Sequence, residues 1–157
     1  MCGFSVLFSP NGIRQKHLNF SSELSNFLLK KRGPDAFGSL YIAVDKVSNQ
    51  WITTLNYQNI SDNKTIIGAL HHSRLMITGN DLTDGSQPVI SPSDRYAFVF
   101  NGEIYNYQYL GRKFLNRSFS SDTELISRLL DLLGIDAICE LEGMFSFIIF
   151  DLKSQII

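Results

Sequence analysis

The first eight residues, MCGFSVLF (residues 1–8), place one of the chain's two cysteines directly before a glycine and an apolar run. Residues 3–8 favour a β-strand, and the turn-forming sequence SPNG at residues 9–12 ends it. If Met1 is removed, Cys2 carries both a thiol and a free α-amino group. That amine titrates at about pH 8, so it can accept the thiol proton, and Gly3 leaves room for a close approach. The alternative is that Cys2 is a small buried hydrophobe that opens the strand.

The composition is that of one globular domain. The 157 residues are 44% hydrophobic, and a net charge of −1 gives no general attraction to nucleic acid or to an anionic membrane. The apolar opening is too short for a signal peptide or a membrane span, and Cys2 and Cys139 make no disulfide framework, so a cytoplasmic location is expected. No metal site is predicted, because His71 and His72 are adjacent and have no cluster of ligands around them.

Two helices are predicted. The first has a serine cap at residues 21–22, places Leu24, Phe27 and Leu28 on one face, and ends at Gly33. The second covers residues 121–134 and begins with a capping box formed by Ser121 and Glu124.

Strands are predicted within residues 37–77, at residues 95–105 and at residues 143–151, the last being apolar enough to be covered on both faces. Because strands and helices do not alternate regularly, the predicted class is α+β, with sheets covered by helices. Residues 151–157 look like a turn followed by the start of another strand, so we expect the chain to be a fragment or a truncated product.

The stretch FVFNGEIYN (residues 98–106) is a candidate for binding a developing oxyanion. Asn101 offers a side-chain amide, Gly102 exposes a backbone N–H that no Cβ shields, and Glu103 adds a carboxylate. The alternative is a plain hairpin turn, since Asn-Gly is a strong hairpin signal.

Two charged residues have the chemistry to bind a zwitterionic small molecule. Arg74 is flanked by apolar residues, as expected of an ion-pair partner or of a fork for a carboxylate. Asp122 opens the second predicted helix, where interaction with the helix N-terminus would by itself explain it.

Seven motifs occur in one order along the chain: MCGF (1–4), KKRGPDAFG (30–38), HHSRLMI (71–77), SQPV (86–89), FNGEIYNY (100–107), SDTELI (121–126) and LEGMFSFIIFD (141–151). Together they resemble the glutamine amidotransferase domain of asparagine synthetase, a class II, N-terminal-nucleophile (Ntn) amidotransferase. The resemblance covers essentially the whole chain. It implies that residues 1–157 are one type-2 amidotransferase domain, a four-layer αββα sandwich of two antiparallel sheets between helices, incomplete at its C-terminus. Residues 39–67 are longer than the hairpin usual in that family, which predicts an expanded hairpin or an extra strand.

The resemblance also implies a role for each site residue. Cys2 would be the nucleophile with its own amine as general base, Asn101 and Gly102 the oxyanion hole, and Arg74 the group that holds the glutamine α-carboxylate. The remaining substrate contacts would come from Leu75, Met76, Ile77, Thr78, Glu103 and Asp122. Residues 32–35 would form a loop that supports the site.

The implied reaction attacks the side-chain amide of L-glutamine, releases ammonia and leaves a glutamyl thioester for water to hydrolyse. No cofactor is expected in this domain, since ATP and magnesium belong to a synthetase domain that the sequence lacks. That partner, in the same or another chain, would place the protein in asparagine biosynthesis, or would amidate another carboxylate in a divergent relative. Two further hypotheses are a cysteine hydrolase that pairs Cys2 with His17, His71 or His72, and a truncated, non-catalytic remnant. Homodimer formation is left open.

Overall fold

Two antiparallel sheets form the centre of the computed structural model, which describes residues 2–58, 60–75 and 85–157. The four-stranded sheet has the order β1-β4-β2-β3 and the three-stranded sheet the order β5-β6-β7. The strands are β1 (Gly3–Phe8), β2 (Ala36–Asp45), β3 (Trp51–Thr54), β4 (Lys64–Arg74), β5 (Val89–Ile90), β6 (Tyr96–Ile104) and β7 (Gly143–Asp151). The helices are α1 (Gln15–Leu29), α2 (Tyr107–Leu115) and α3 (Asp122–Leu133), and a 3-10 helix follows α3 at Gly134–Glu140.

Side-chain alternation along the strands divides the interior into three apolar layers. On β6, Phe98 and Phe100 pack with α2 and α3, whereas Ala97 and Val99 face the other sheet. Strand β2 does the same for the four-stranded sheet. Its Leu40 and Ile42 point between the sheets, and Tyr41 and Ala43 pack on the side of α1, where Leu18 is buried. The order α1, sheet, sheet, α2 with α3 confirms the predicted α+β, four-layer class.

The first helix begins earlier than predicted. Helix α1 starts at Gln15 after Arg14, whose side chain makes no capping hydrogen bond, and both predicted caps lie inside the helix. The predicted apolar face is also not the buried one, because Leu24, Phe27 and Leu28 are exposed together with Phe20. Packing against the sheet therefore determines where α1 begins and which of its faces is buried, and the two serines were a misleading signal for its start.

Three further expectations differ from the structure. Helix α2 was not predicted, although Leu110 is buried on it. Asn101 and Gly102 lie within β6 and pair with Ser146 and Phe145 of β7, so the hairpin-turn alternative is wrong. Strand β7 is covered on both faces only in its second half, where Ile149 and Phe150 are buried in different apolar layers, whereas its first two residues are exposed.

Two shorter features agree with what the sequence predicts. Strand β3 adds the extra strand expected within residues 39–67, paired with β2. After β7 the predicted turn is present, and Asp151 forms an isolated antiparallel bridge with Ile156. Within the described residues, no helix combines the length and apolarity needed to cross a membrane.

The two adjacent histidines of β4 are buried on opposite faces of the four-stranded sheet. His71 Nδ1 hydrogen-bonds with Ser39 Oγ at 2.8 Å, and its ring stacks on Phe37. Burial lowers the pKa of each histidine from 6.5 to about 4. Both rings are therefore neutral in the folded protein at pH 7.

The stability of the protein should fall as the pH drops from 6.5 towards 4. In that window an unfolded histidine binds a proton and the buried one does not, so each ring costs roughly 2 kcal/mol at pH 5 that is absent at pH 7. Urea unfolding of the wild type and of His71→Gln should show a smaller pH dependence in the variant. His17→Gln, which changes an exposed histidine, is the matched control. Equal pH slopes for all three proteins would contradict this assignment.

Candidate active site

A cavity of about 250 Å³ opens where the space between the two sheets ends. Four strand and helix ends surround it: the start of β1, the end of β4, the end of β6 and the start of α3. Its wall is formed by Cys2, His72, Arg74, Leu75, Gly85, Gln87, Phe100, Asn101, Gly102, Glu103, Ser121, Asp122, Thr123 and Met144.

Cys2 reaches this cavity because of the register between β1 and β4. Gly3 pairs with Ser73, so Cys2 lies level with the end of β4 and on the same face as Phe4, which packs between the sheets. The backbone N–H of Leu75 donates to Cys2 Sγ at 3.3 Å. The Arg32 guanidinium donates from Nε to the Cys2 carbonyl at 3.3 Å. Cys2 is thus held at the cavity wall through its thiol and through its backbone carbonyl, and it is partly exposed.

Strand β4 carries two polar side chains into the cavity. His72 and Arg74 follow Leu70 at intervals of two, so they share its inter-sheet face and are 1% and 6% exposed. Burial and the neighbouring positive charge of Arg74 together lower the pKa of His72 to about 4. A neutral imidazole beside a buried guanidinium leaves the positive charge of this wall on Arg74.

The loop before β2 fixes the end of β4. The Asp35 N–H donates to the Arg74 carbonyl at 3.0 Å, and Ser73 Oγ donates to the Gly33 carbonyl. A Cβ at residue 33 would lie 2.4 Å from the Ser73 carbonyl oxygen, so a side chain here would push the loop away. The motif at residues 32–35 therefore contacts the backbone that presents Arg74.

Asn101 and Gly102 form the opposite wall. Asn101 follows Ala97 and Val99 at intervals of two residues on β6, so its side chain lies on the face between the sheets. Gly102 has φ +148°, and a Cβ there would lie 2.0 Å from the Met144 carbonyl oxygen of β7. A side chain at residue 102 would therefore separate β6 from β7.

Asp122 closes the cavity from the N-terminus of α3. One carboxylate oxygen accepts from the Thr123 N–H at 2.7 Å, and the other accepts from the Ile104 N–H at 3.2 Å. Burial raises the pKa of Asp122 despite these hydrogen bonds, and the negative charge of Glu103 raises it further. The carboxyl groups of Asp122 and Glu103 thus lie near each other in this part of the cavity wall, and their charge is opposite to that of Arg74.

Ser121 caps α3, but the predicted capping box is only half formed. Its Oγ accepts from the Glu124 N–H at 3.2 Å. The Glu124 carboxylate instead accepts from Arg117 and from Ser120. The cap fixes the start of the helix and with it the position of Asp122.

The cavity brings together seven of the residues to which the resemblance gave a role: Cys2, Arg74, Leu75, Asn101, Gly102, Glu103 and Asp122. Met76, Ile77 and Thr78 lie outside the described residues. The wall also includes His72, to which only the cysteine hydrolase hypothesis gave a role. The wall residues with no predicted site role are Gly85, Gln87, Phe100, Ser121, Thr123 and Met144. For His72 a signal existed, since it lies two residues before Arg74 on a predicted strand and must share its face.

Gly102→Ala should destabilise the protein by about 3 kcal/mol, because the added methyl group meets the Met144 carbonyl. Gly134→Ala is the matched control. Gly134 also has positive φ, +68°, but the nearest atom to its added Cβ is 3.5 Å away. It should cost only the backbone strain of about 1–2 kcal/mol. Chemical unfolding of both variants measures the difference, and equal losses would contradict the close approach of β7.

Comparison with known proteins gives consistent matches. A family model described as "Glutamine amidotransferase domain" matches residues 55–157. An asparagine synthetase (glutamine-hydrolyzing) 1 of Arabidopsis thaliana is 31% identical over 157 residues, which is 99% of this chain and 22% of that protein. An asparagine synthetase (glutamine-hydrolyzing) of Zea mays is 36% identical over 88 residues, covering 55% of this chain and 15% of that protein. The chain thus spans less than a quarter of the length of either relative.

A solved structure has the same fold. The glutamine phosphoribosylpyrophosphate amidotransferase of B. subtilis, complexed with ADP and GMP, superposes with a TM-score of 0.59. The match covers 96% of this chain and 35% of that one, at 18% sequence identity. At this identity the likeness shows that the two chains share a fold.

Proposed function

The chain belongs to the glutamine amidotransferase domain family, and we propose that it hydrolyses the side-chain amide of L-glutamine with Cys2 as nucleophile. The observation that supports this most is the shared cavity, in which Cys2 faces Asn101 and Gly102 from the other sheet, with Arg74 and Asp122 alongside. Its volume of about 250 Å³ suits a free amino acid, being just below the range of sites that hold drug-sized ligands.

Activation of the thiol begins with removal of Met1. The new α-amino group of Cys2 then accepts the thiol proton, directly or through a water molecule, and the thiolate attacks the amide carbon. Collapse of the tetrahedral intermediate breaks the C–N bond, and the protonated amine returns the proton to the leaving nitrogen, giving ammonia and a glutamyl thioester. Water then attacks the thioester, releasing glutamate and restoring the thiol.

The charge that develops on the amide oxygen needs preorganised donors. The Asn101 side-chain amide and the Gly102 N–H are proposed to supply them from the wall opposite Cys2. The packing of Gly102 against Met144 supports this role, because it holds the donor on a paired strand and not on a loop. These donors act on the transition state, so they should change the turnover rate more than substrate binding.

Recognition of a free amino acid requires charges of both signs. Arg74 is proposed to hold the α-carboxylate, while Glu103 and Asp122 hold the α-ammonium group. A bound ammonium group would favour the ionised form of Asp122 and so oppose the rise in its pKa that burial causes. The backbone at Leu75, together with Met76, Ile77 and Thr78, is proposed as the wall beside the substrate.

The ammonia is proposed to go to an ATP-dependent synthetase unit, in the same or another chain. The relatives reported above are named asparagine synthetases, which favours aspartate as the acceptor over another carboxylate. ATP and magnesium would bind in that unit. This chain would contribute the glutaminase half of the reaction.

Replacing Cys2 by serine, or inserting an alanine before Cys2, should each lower ammonia release from glutamine at least about 1,000-fold. The first change removes the thiol, and the second moves the free amine away from it. Ammonia release is measured with the purified protein, and mass spectrometry checks that Met1 has been removed. Cys139→Ser, which changes an exposed cysteine, should retain full activity. An active insertion variant would rule out the amine as the base.

Asn101→Ala should lower kcat about 100- to 1,000-fold and leave KM for glutamine within about twofold, because the lost donor serves the oxyanion. Ser146→Ala is the matched control, since Ser146 is the neighbour of Asn101 across β7 and has no proposed role. Steady-state kinetics with glutamine separates the two constants. A rise in KM at unchanged kcat would instead assign Asn101 to substrate binding.

A further inference from the structure

The strand that carries Asn101 has an edge that is only partly paired. Strand β5 is two residues long, and its pairing with β6 joins Val89 to Phe98 and Ile90 to Ala97. Two residues beyond Phe98, at Phe100, the backbone of β6 therefore needs partners from outside β5. An unpaired backbone group at a buried position costs about as much as a lost hydrogen bond.

Gln87 supplies one of these partners with its side chain. Its Oε1 accepts from the Phe100 N–H at 2.6 Å, and the side chain is buried. The following residue, Pro88, has no N–H to donate to the edge. The glutamine side chain thus takes the place of the next ladder hydrogen bond beyond Val89.

His72 reaches the same residue from the other sheet. It is buried beside Phe100 in the cavity wall, and the nearby Phe100 backbone opposes the lowering of the pKa of His72 by burial. Among the described residues, His72 Nε2 has no hydrogen-bond partner. Two buried side chains from different elements therefore lie against the Phe100 backbone, and Gln87 binds its N–H.

We propose that Gln87 and His72 are positioning residues that fix Phe100 and thereby aim the Asn101 amide and the Gly102 N–H at the amide oxygen of the substrate. This inference rests on the proposed glutaminase function. On the other edge of β6, Gly102 lies against Met144, so the segment is held from both sides. Oxyanion donors must lie within about 2.7–3.1 Å of the oxygen, so even a small displacement of the strand weakens them.

The first test compares Gln87→Met with Ser91→Ala. Methionine keeps the length of the side chain but cannot accept the Phe100 N–H. Ser91 is the matched control because its buried Oγ accepts from the Tyr96 N–H, at the far end of the same strand. Gln87→Met should lower kcat for glutamine about 10- to 100-fold with KM within about twofold, and Gln87→Glu, which keeps an acceptor oxygen, should recover most of the rate. Ser91→Ala should keep the wild-type kcat.

His72 is tested by a pair of variants. His72→Asn keeps a polar N–H beside the Phe100 backbone and should keep most of kcat. His72→Leu keeps the bulk without a donor and should lower kcat at least about 10-fold, again at nearly constant KM. Thermal unfolding of each variant is measured alongside, so that a loss of rate is compared at matched stability.

A second readout does not depend on turnover. Hydrogen exchange at the Phe100 amide and the NMR shift of the Asn101 side-chain amide should both change in Gln87→Met and stay unchanged in Ser91→Ala. If the wild type hydrolyses glutamine but Gln87→Met matches Ser91→Ala in kcat and in exchange, the positioning role is wrong. If the wild type does not hydrolyse glutamine, the proposed function fails, and the exchange data alone decide whether Gln87 holds Phe100.

Discussion

The face-to-face packing of the two sheets is the constraint on which the site depends. Leu40 and Leu70 from one sheet meet Val99 and Phe150 from the other in a buried layer. Stacked sheets lie about 10 Å apart, so where the apolar side chains stop, a slot the width of an amino acid remains. Cys2 and Asn101 lie on opposite walls of that slot. Each side chain points into it because of the alternation of side chains along the strand that also builds the core. The proposed nucleophile and its proposed oxyanion donors are therefore separated by the spacing of the two sheets.

The polar groups in this slot work against stability. Arg74 is a nearly buried cation, Asp122 is a carboxylate whose burial raises its pKa, and His72 is kept neutral. A core made for stability alone would place apolar side chains at such positions. Perturbed titratable groups that converge on one cavity are typical of a functional site, and here they have the signs that a zwitterion needs.

Part of this arrangement could be predicted from the sequence, because it depends on local patterns. The start of α3, the strand containing Asn101 and the extra strand β3 all follow from short stretches of residues. Helix α1 was misplaced because Arg14 gives no capping signal. Helix α2 was missed although Gly111 suits its packing, since a Cβ at residue 111 would lie 2.7 Å from the Phe119 ring. The positions of Gln87 and His72 relative to Phe100 could not be predicted. They depend on where β5 ends and on the distance between two sheets, and neither is encoded within any one segment.

The chain's single tryptophan lies at the end of the sandwich away from the cavity. Trp51 packs against Phe8 and Phe150, with ring centroids 6.0 and 6.2 Å away. Phe8 and Cys2 are at opposite ends of β1, a separation of roughly 20 Å at the usual rise per residue. The fluorescence of Trp51 should therefore report separation of the two sheets and should not respond to events around the Cys2 thiol. A reporter of ligand occupancy has to be built in separately, for example a fluorophore on the rim of the cavity.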